Sequence, residues 1–112
     1  MYDLEERSFR FAKDVALFCK NLERTISNVE YVKQVIRSSS SVAANYIEAN
    51  ESLSKKDFTH RIKISRKEAK ESKMWLRLIK ETNTNVNSQN DVLLQEAEEL
   101  KKILSAILEK SS

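Results

Sequence analysis

The chain contains no glycine and no proline. These two residues supply most cheaply the positive or fixed φ angles that tight hairpins use, so a fold rich in short strands and turns is disfavoured. Collagen-like and Pro/Gly low-complexity classes are excluded, and a glycine-rich, phosphate-cradling loop is impossible. The one cysteine, Cys19, can form no internal disulfide, which fits a reducing compartment. No apolar run approaches the ~20 residues of a membrane span. The opening residues, Met1-Tyr2-Asp3-Leu4-Glu5-Glu6, are acidic and lack the apolar centre of a signal peptide. A cytosolic protein is expected.

What is present suits amphipathic helices. Charged residues make up 33% of the chain and hydrophobic residues 40%, a balance too apolar for disorder. Residues 1–112 are enough for one domain with one core. The net charge of +3 is unevenly spread: residues 51–80 carry ten basic against four acidic side chains, and residues 81–112 carry three against six. The basic excess therefore sits in one segment.

Apolar residues recur at helical spacing in four stretches, predicted as helices over about 4–26, 29–49, 55–80 and 89–110. Each opens with an oxygen-bearing cap and a carboxylate three positions on: Asp3 with Glu6, Ser27 with Glu30, Ser54 with Asp57, Ser88 with Asp91. The cap accepts a free backbone N–H of the first turn, and the carboxylate faces the positive end of the helix dipole. The first seam is Leu4, Ser8, Phe11, Val15, Phe18 and Leu22, widened by Phe9, Ala12, Cys19 and Ile26. The second is Val32, Val35, Ser39, Val42 and Tyr46, with Ile36 and Ala43 beside it. The third is Phe58, Ile62, Ser65, Ala69, Ser72, Leu76 and Ile79, and the fourth Leu93, Ala97, Leu100, Leu104 and Ile107. The joints, Ser27-Asn28, about 50–54 and about 82–88, are short enough to force neighbouring helices antiparallel. The expected fold is all-α, an antiparallel up-down-up-down four-helix bundle.

Two helices depart from ordinary amphipathic cover. From Ser38 to Ile47 the second carries no charge, whereas a bundle helix normally shows charges on its outer face. Small uncharged residues all round predict a second copy packing there, unless the helix is covered by its own chain. The third helix carries a cationic stripe of Lys56, Lys63, Arg66, Lys67, Lys70, Lys73, Arg77 and Lys80, with His60 on the same side. The stripe reads as free of carboxylates. Eight cations along ~36 Å of helix would attract a polyanion and release its counterions. Alternatively it is a solvated face met in part by Glu96, Glu98 and Glu99. With no aromatics interleaved, nucleic-acid contact would be led by the backbone.

Catalytic and metal chemistry find little support. Four-helix di-metal proteins need Glu-x-x-His twice; this chain has one histidine and no glutamate three residues before it. Glu48 and Glu68 read as half-buried acids in a structural network with Arg37. Cys19 reads as a small core residue, Trp75 as core or interface packing, and the serines lack a histidine base. No metal, cofactor or small-molecule substrate is expected.

From Gln34 to Ile79 the chain resembles a bacterial family, the four-helix-bundle proteins encoded in 23S rRNA intervening sequences. The stretch from Gln34 to Ala49, QVIRSSSSVAANYIEA, is similar to the family's hallmark second helix. Asp57-Phe58, Glu68-Ala69-Lys70-Glu71-Ser72 and Trp75-Leu76 match its third. Many relatives carry glycine where this chain has Ala49, and the first joint reads as shorter than theirs. The resemblance implies a homo-oligomer, a pentameric ring with a positively charged surface; some relatives are accessory proteins of diversity-generating retroelements that contact a reverse transcriptase and RNA. It marks Arg37, Ser40, Asn45, Glu48, Glu68 and Ser72 as structural or interface positions. The expected function is thus a non-enzymatic oligomer that meets RNA, or an RNA-bound protein, through the third helix. The alternative is an interaction module without nucleic-acid binding.

Overall fold

A computed structural model describes residues 3–86 and 88–111. Four helices follow one another: α1 Leu4–Cys19, α2 Ile26–Asn50, α3 Lys55–Thr82 and α4 Ser88–Ser111. Each helix packs on its two neighbours in the order α1–α2–α3–α4 and back to α1, and the α2–α3 seam is the most extensive. The cross-helix pairs run in opposite directions. Ser38 meets Ser72, Asn45 meets Arg61 and Asn28 meets Asn83 between α2 and α3. Lys73 meets Glu98 and Lys80 meets Asp91 between α3 and α4. Glu5, at the start of α1, accepts from Asn50 at the end of α2. The bundle is therefore antiparallel, up-down-up-down, in a body of 45 × 26 × 19 Å. None of the described helices is long and apolar enough to cross a membrane.

Two caps form as expected. Asp3 accepts from the Glu6 N–H at 2.8 Å, and Ser54 from the Asp57 N–H at 3.0 Å. The boundary between the first two helices differs. α1 stops at Cys19 rather than Ile26, and the joint is residues 20–25 rather than Ser27-Asn28. The cap of α2 is Thr25, which accepts from the Asn28 N–H at 3.1 Å, so Ser27 and Glu30 lie inside the helix and form no capping box. Ile26 becomes the first residue of α2 and is 94% exposed instead of widening the α1 seam. The cause is local. Asn21 and Leu22 turn back to the carbonyls of Phe18 and Cys19, and Asn28 is drawn into the bundle, where its amide donates to the Glu23 carbonyl at 2.9 Å. At the other end, Ser88 is the first residue of α4 and not its cap; the preceding Asn87 lies outside the described residues.

The core is contiguous through all four helices and contains Phe11, Val15, Phe18, Val35, Val42, Ile62, Leu76, Ile79, Leu93, Leu100 and Leu104. Phe9 does not join it and is 54% exposed. Several of the buried residues of α2 and α3 are small: Ser38, Ser39, Ser65, Ala69 and Ser72. A buried hydroxyl without a partner costs ~1–3 kcal/mol, and these are satisfied. Ser65 Oγ donates across the seam to the Val42 carbonyl at 2.8 Å. Ser38 and Ser72 share a hydroxyl bond of 2.8 Å, and each also lies within reach of a carbonyl of its own helix, Val35 and Glu68. Direct bonding from a side chain on one helix to the backbone of the other requires close approach, which small residues permit.

Candidate nucleic-acid interface

The outer edge of α3 toward α4 is an open cationic groove. Lys63, Arg66, Lys67 and Lys70 of α3 form one wall and Lys101 and Ser105 of α4 the other, around a volume of ≈ 590 Å³. The α3 side chains are positioned by the seam opposite. Ile62, Ser65, Ala69, Ser72, Leu76 and Ile79 are all buried, which turns positions 63, 66, 67 and 70 outward. Among the described residues, no ion pair or side-chain hydrogen bond engages Lys63, Arg66, Lys67 or Lys70. Glu71 also lines the groove, so the stripe is not free of carboxylates as its spacing suggests: one acid lies among the cations.

The far half of the stripe is partly neutralised. Lys73 Nζ lies 3.0 Å from Glu98 and Lys80 Nζ 2.7 Å from Asp91. Hydrogen bonding to Asp91 raises the Lys80 pKa above the usual lysine range. Glu98 is shared among Lys73, Lys101 and, at 4.0 Å, Lys102. The Lys101 hydrogen bond, then the Lys73 one, holds its carboxyl below the usual glutamate range. Three ammonium groups around one carboxylate still leave a positive excess. Lys56, His60 and Arg77 are exposed beyond the two ends of the groove. Of the acids expected to answer the stripe, Glu98 does so. Glu96 instead forms a forked pair with Arg7 of α1, at 2.8 and 2.9 Å, and Glu99 accepts from Gln95. Asp91 as a partner and Lys101 as a groove residue escape a reading of the sequence, because both depend on the register between two helices.

The positions marked by family resemblance gather mainly on the α2–α3 side. Arg37 pairs with the buried carboxylate of Glu68 at 3.4 Å, and Glu68 Oε1 has no hydrogen-bond partner among the described residues. Asn45 donates to Ser41 and accepts from Arg61 at 3.1 Å, while Ser72 is in the hydroxyl seam. Ser40 and Glu48 are exposed; for Glu48 this corrects the expectation of a half-buried acid. The outer face of α2 is indeed uncharged over one stretch, and Ile36, Ser40, Ala44 and Ile47 lie exposed along it. Trp75 is half-buried against the core, its ring 6.0 Å from that of Tyr31. Cys19 is buried, and desolvation pushes its thiol up to about 11.

Against known proteins, the family model described as 23S rRNA-intervening sequence protein matches residues 2–106. A crystal structure of a protein with unknown function from the S23 ribosomal protein family of Bacteroides thetaiotaomicron superposes with a TM-score of 0.83 at 28% identity, covering 95% of this chain and 98% of that one. No curated protein matches the chain.

Proposed function

The chain belongs to the 23S rRNA-intervening sequence protein family, and from that premise we propose that it is a cytoplasmic, non-enzymatic, homo-oligomeric bundle that contacts RNA, or a protein bound to RNA, through the basic face of α3. The observation that carries this reading is the groove of Lys63, Arg66, Lys67, Lys70 and Lys101, four of whose five cations have no carboxylate partner among the described residues. Cations left unpaired on a rigid helix are available to phosphates, and their counterion release makes binding salt-dependent. The family's name, which places it in rRNA intervening sequences, supports RNA as the polyanion.

The oligomer is supported by the outer face of α2, where Ile36, Ser40, Ala44 and Ile47 are exposed without a charge between Ser38 and Ile47. A ring of five copies is the assembly we expect. The same face favours a second reading, in which assembly is the whole function and the basic stripe only keeps the particle soluble or meets an acidic protein.

Binding of labelled RNA across a salt series separates the two. The wild type should bind with affinity that falls steeply with salt, and the variant Lys63→Glu/Lys70→Glu/Arg77→Glu should not bind. Absence of salt-sensitive binding by the wild type would leave only the second reading. The ultraviolet absorbance ratio of the freshly purified protein gives an early indication, since bound nucleic acid raises it.

A further inference from the structure

The groove has walls but no stacking platform, and that bears on the form of RNA it takes. Proteins that hold single strands combine a basic track with aromatic side chains on which successive bases stack. Here the described aromatic side chains lie elsewhere. Phe11 and Phe18 are in the core, Tyr31 and Trp75 pack on each other at the α2–α3 side, and Tyr46 and Phe58 pack against the core. The exposed Phe9 belongs to α1, which packs on α2 and α4 rather than on α3. His60 is the one ring on the stripe, and a single imidazole cannot carry a run of bases.

The cations, by contrast, are held in a straight, rigid line. Lys63 and Lys70 are separated by ~10 Å along the axis of α3, a helix of 28 residues anchored by its buried seam. Lys101 faces them from α4 across the groove. A row of cations spaced along a rigid helix, with one lysine opposite and no stacking surface, is best matched by the polyanion with the highest and most regular charge density. Neutralising a duplex phosphate also releases more condensed counterion than neutralising one on a single strand, and double-stranded RNA is recognised mainly by its shape and backbone.

We propose that the α3–α4 groove is a receptor for the phosphate backbone of double-stranded RNA, with Lys101 of α4 completing the site. This rests on the RNA-binding reading above. Full-length protein should be titrated with a labelled RNA duplex of about 20 base pairs, and with one of its strands chosen to be unstructured, at several salt concentrations. The duplex should bind at least tenfold tighter near physiological salt. With about five phosphates neutralised, its log–log salt slope should approach about −4.5. Lys101→Glu should weaken duplex binding at least tenfold while circular dichroism and the urea midpoint show the bundle intact. Equal or tighter binding of the single strand would overturn the duplex assignment and leave RNA binding standing. Unchanged duplex affinity in a folded Lys101→Glu variant would overturn the two-walled site. Binding of neither RNA would overturn the parent reading itself.

Discussion

The side-chain amides of Asn28 and Asn83 face each other and exchange two hydrogen bonds, of 2.8 and 2.9 Å. Asn28 is in the first turn of α2 and only 2% exposed, and Asn83 caps the end of α3. Each amide also secures a carbonyl of its own neighbourhood: Asn28 donates to Glu23 and Asn83 to Ile79. The pair thus ties the first joint to the exit of α3. Asn28→Ala removes three of these bonds, and at ~1 kcal/mol net each the loss should be about 3 kcal/mol. Asn28→Asp should be worse at neutral pH, since a carboxylate cannot donate to Glu23 or to Asn83 Oδ1. Urea denaturation measures both, and an unshifted midpoint in the alanine variant would show that the pair contributes nothing.

The same pair shows where the sequence could and could not be read. The α3 seam from Ile62 to Ile79 was legible because every third or fourth position is apolar or small, and all of these are buried. The first joint was not. No glycine or proline marks it, Lys20 to Arg24 contains good helix formers, and Thr25 and Ser27 offer competing cap hydroxyls two residues apart. Which one caps is decided by Asn28 reaching Asn83, a contact between distant parts of the chain. Asn28 looks like a loop residue by type and is in fact core. The cationic stripe was legible for a related reason, since it is one face of one helix. Its neutralised end and its second wall were not, because Asp91, Glu98 and Lys101 depend on how α4 is registered against α3.

Small residues at the α2–α3 seam should tolerate loss better than gain. Ser72→Ala deletes one hydroxyl from a paired set and should cost ~1 kcal/mol. Ser65→Leu inserts a branched chain where the hydroxyl of Ser65 reaches the Val42 carbonyl, so it should cost at least 2–3 kcal/mol through overpacking. Thermal and urea unfolding of the two variants would rank them. The reverse order would mean that the helices are not closely apposed there.

Cys19 gives a pH prediction. Its buried thiol has a pKa near 11 against an ordinary value of 9.0, so between these values the unfolded chain has lost a proton that the folded chain keeps. Stability from this group is full below pH 9 and declines as pH rises to about 11. Native protein at pH 8 should therefore react slowly with a thiol reagent, and reaction should become fast in denaturant. Cys19→Ala should flatten the alkaline loss of stability. Rapid labelling of the native protein at pH 8 would contradict the buried, protonated thiol.

Glu98 restrains the basic surface. It accepts from Lys73 and Lys101 at 3.0 Å each, and these ammonium groups lower its pKa. Its contribution to stability is therefore present above the ordinary glutamate range and is lost as pH falls through its lower folded value. Glu98→Gln frees both lysines at any pH. RNA affinity should rise, by up to roughly tenfold for each additional phosphate neutralised near 0.1 M salt, with a steeper salt slope. Unchanged or weaker binding would argue that this end of the stripe lies outside the RNA footprint.

A charge placed on the outer face of α2 tests folding and assembly separately. Ala44 is exposed on the single chain, as are Ser40 and Ile47, so a charge at position 44 costs the isolated bundle little; surface changes of this kind usually stay within about ±0.5 kcal/mol. If a second copy packs on this face, Ala44→Glu buries an unpaired carboxylate in every interface, which costs several kcal/mol unless the group is neutralised. Light scattering should then give an oligomer for the wild type and a monomer for Ala44→Glu, with helical circular dichroism unchanged. Ala44→Ser, which is small and neutral, should remain assembled. A wild-type monomer, or an Ala44→Glu oligomer of undiminished mass, would show that this face is not where copies meet.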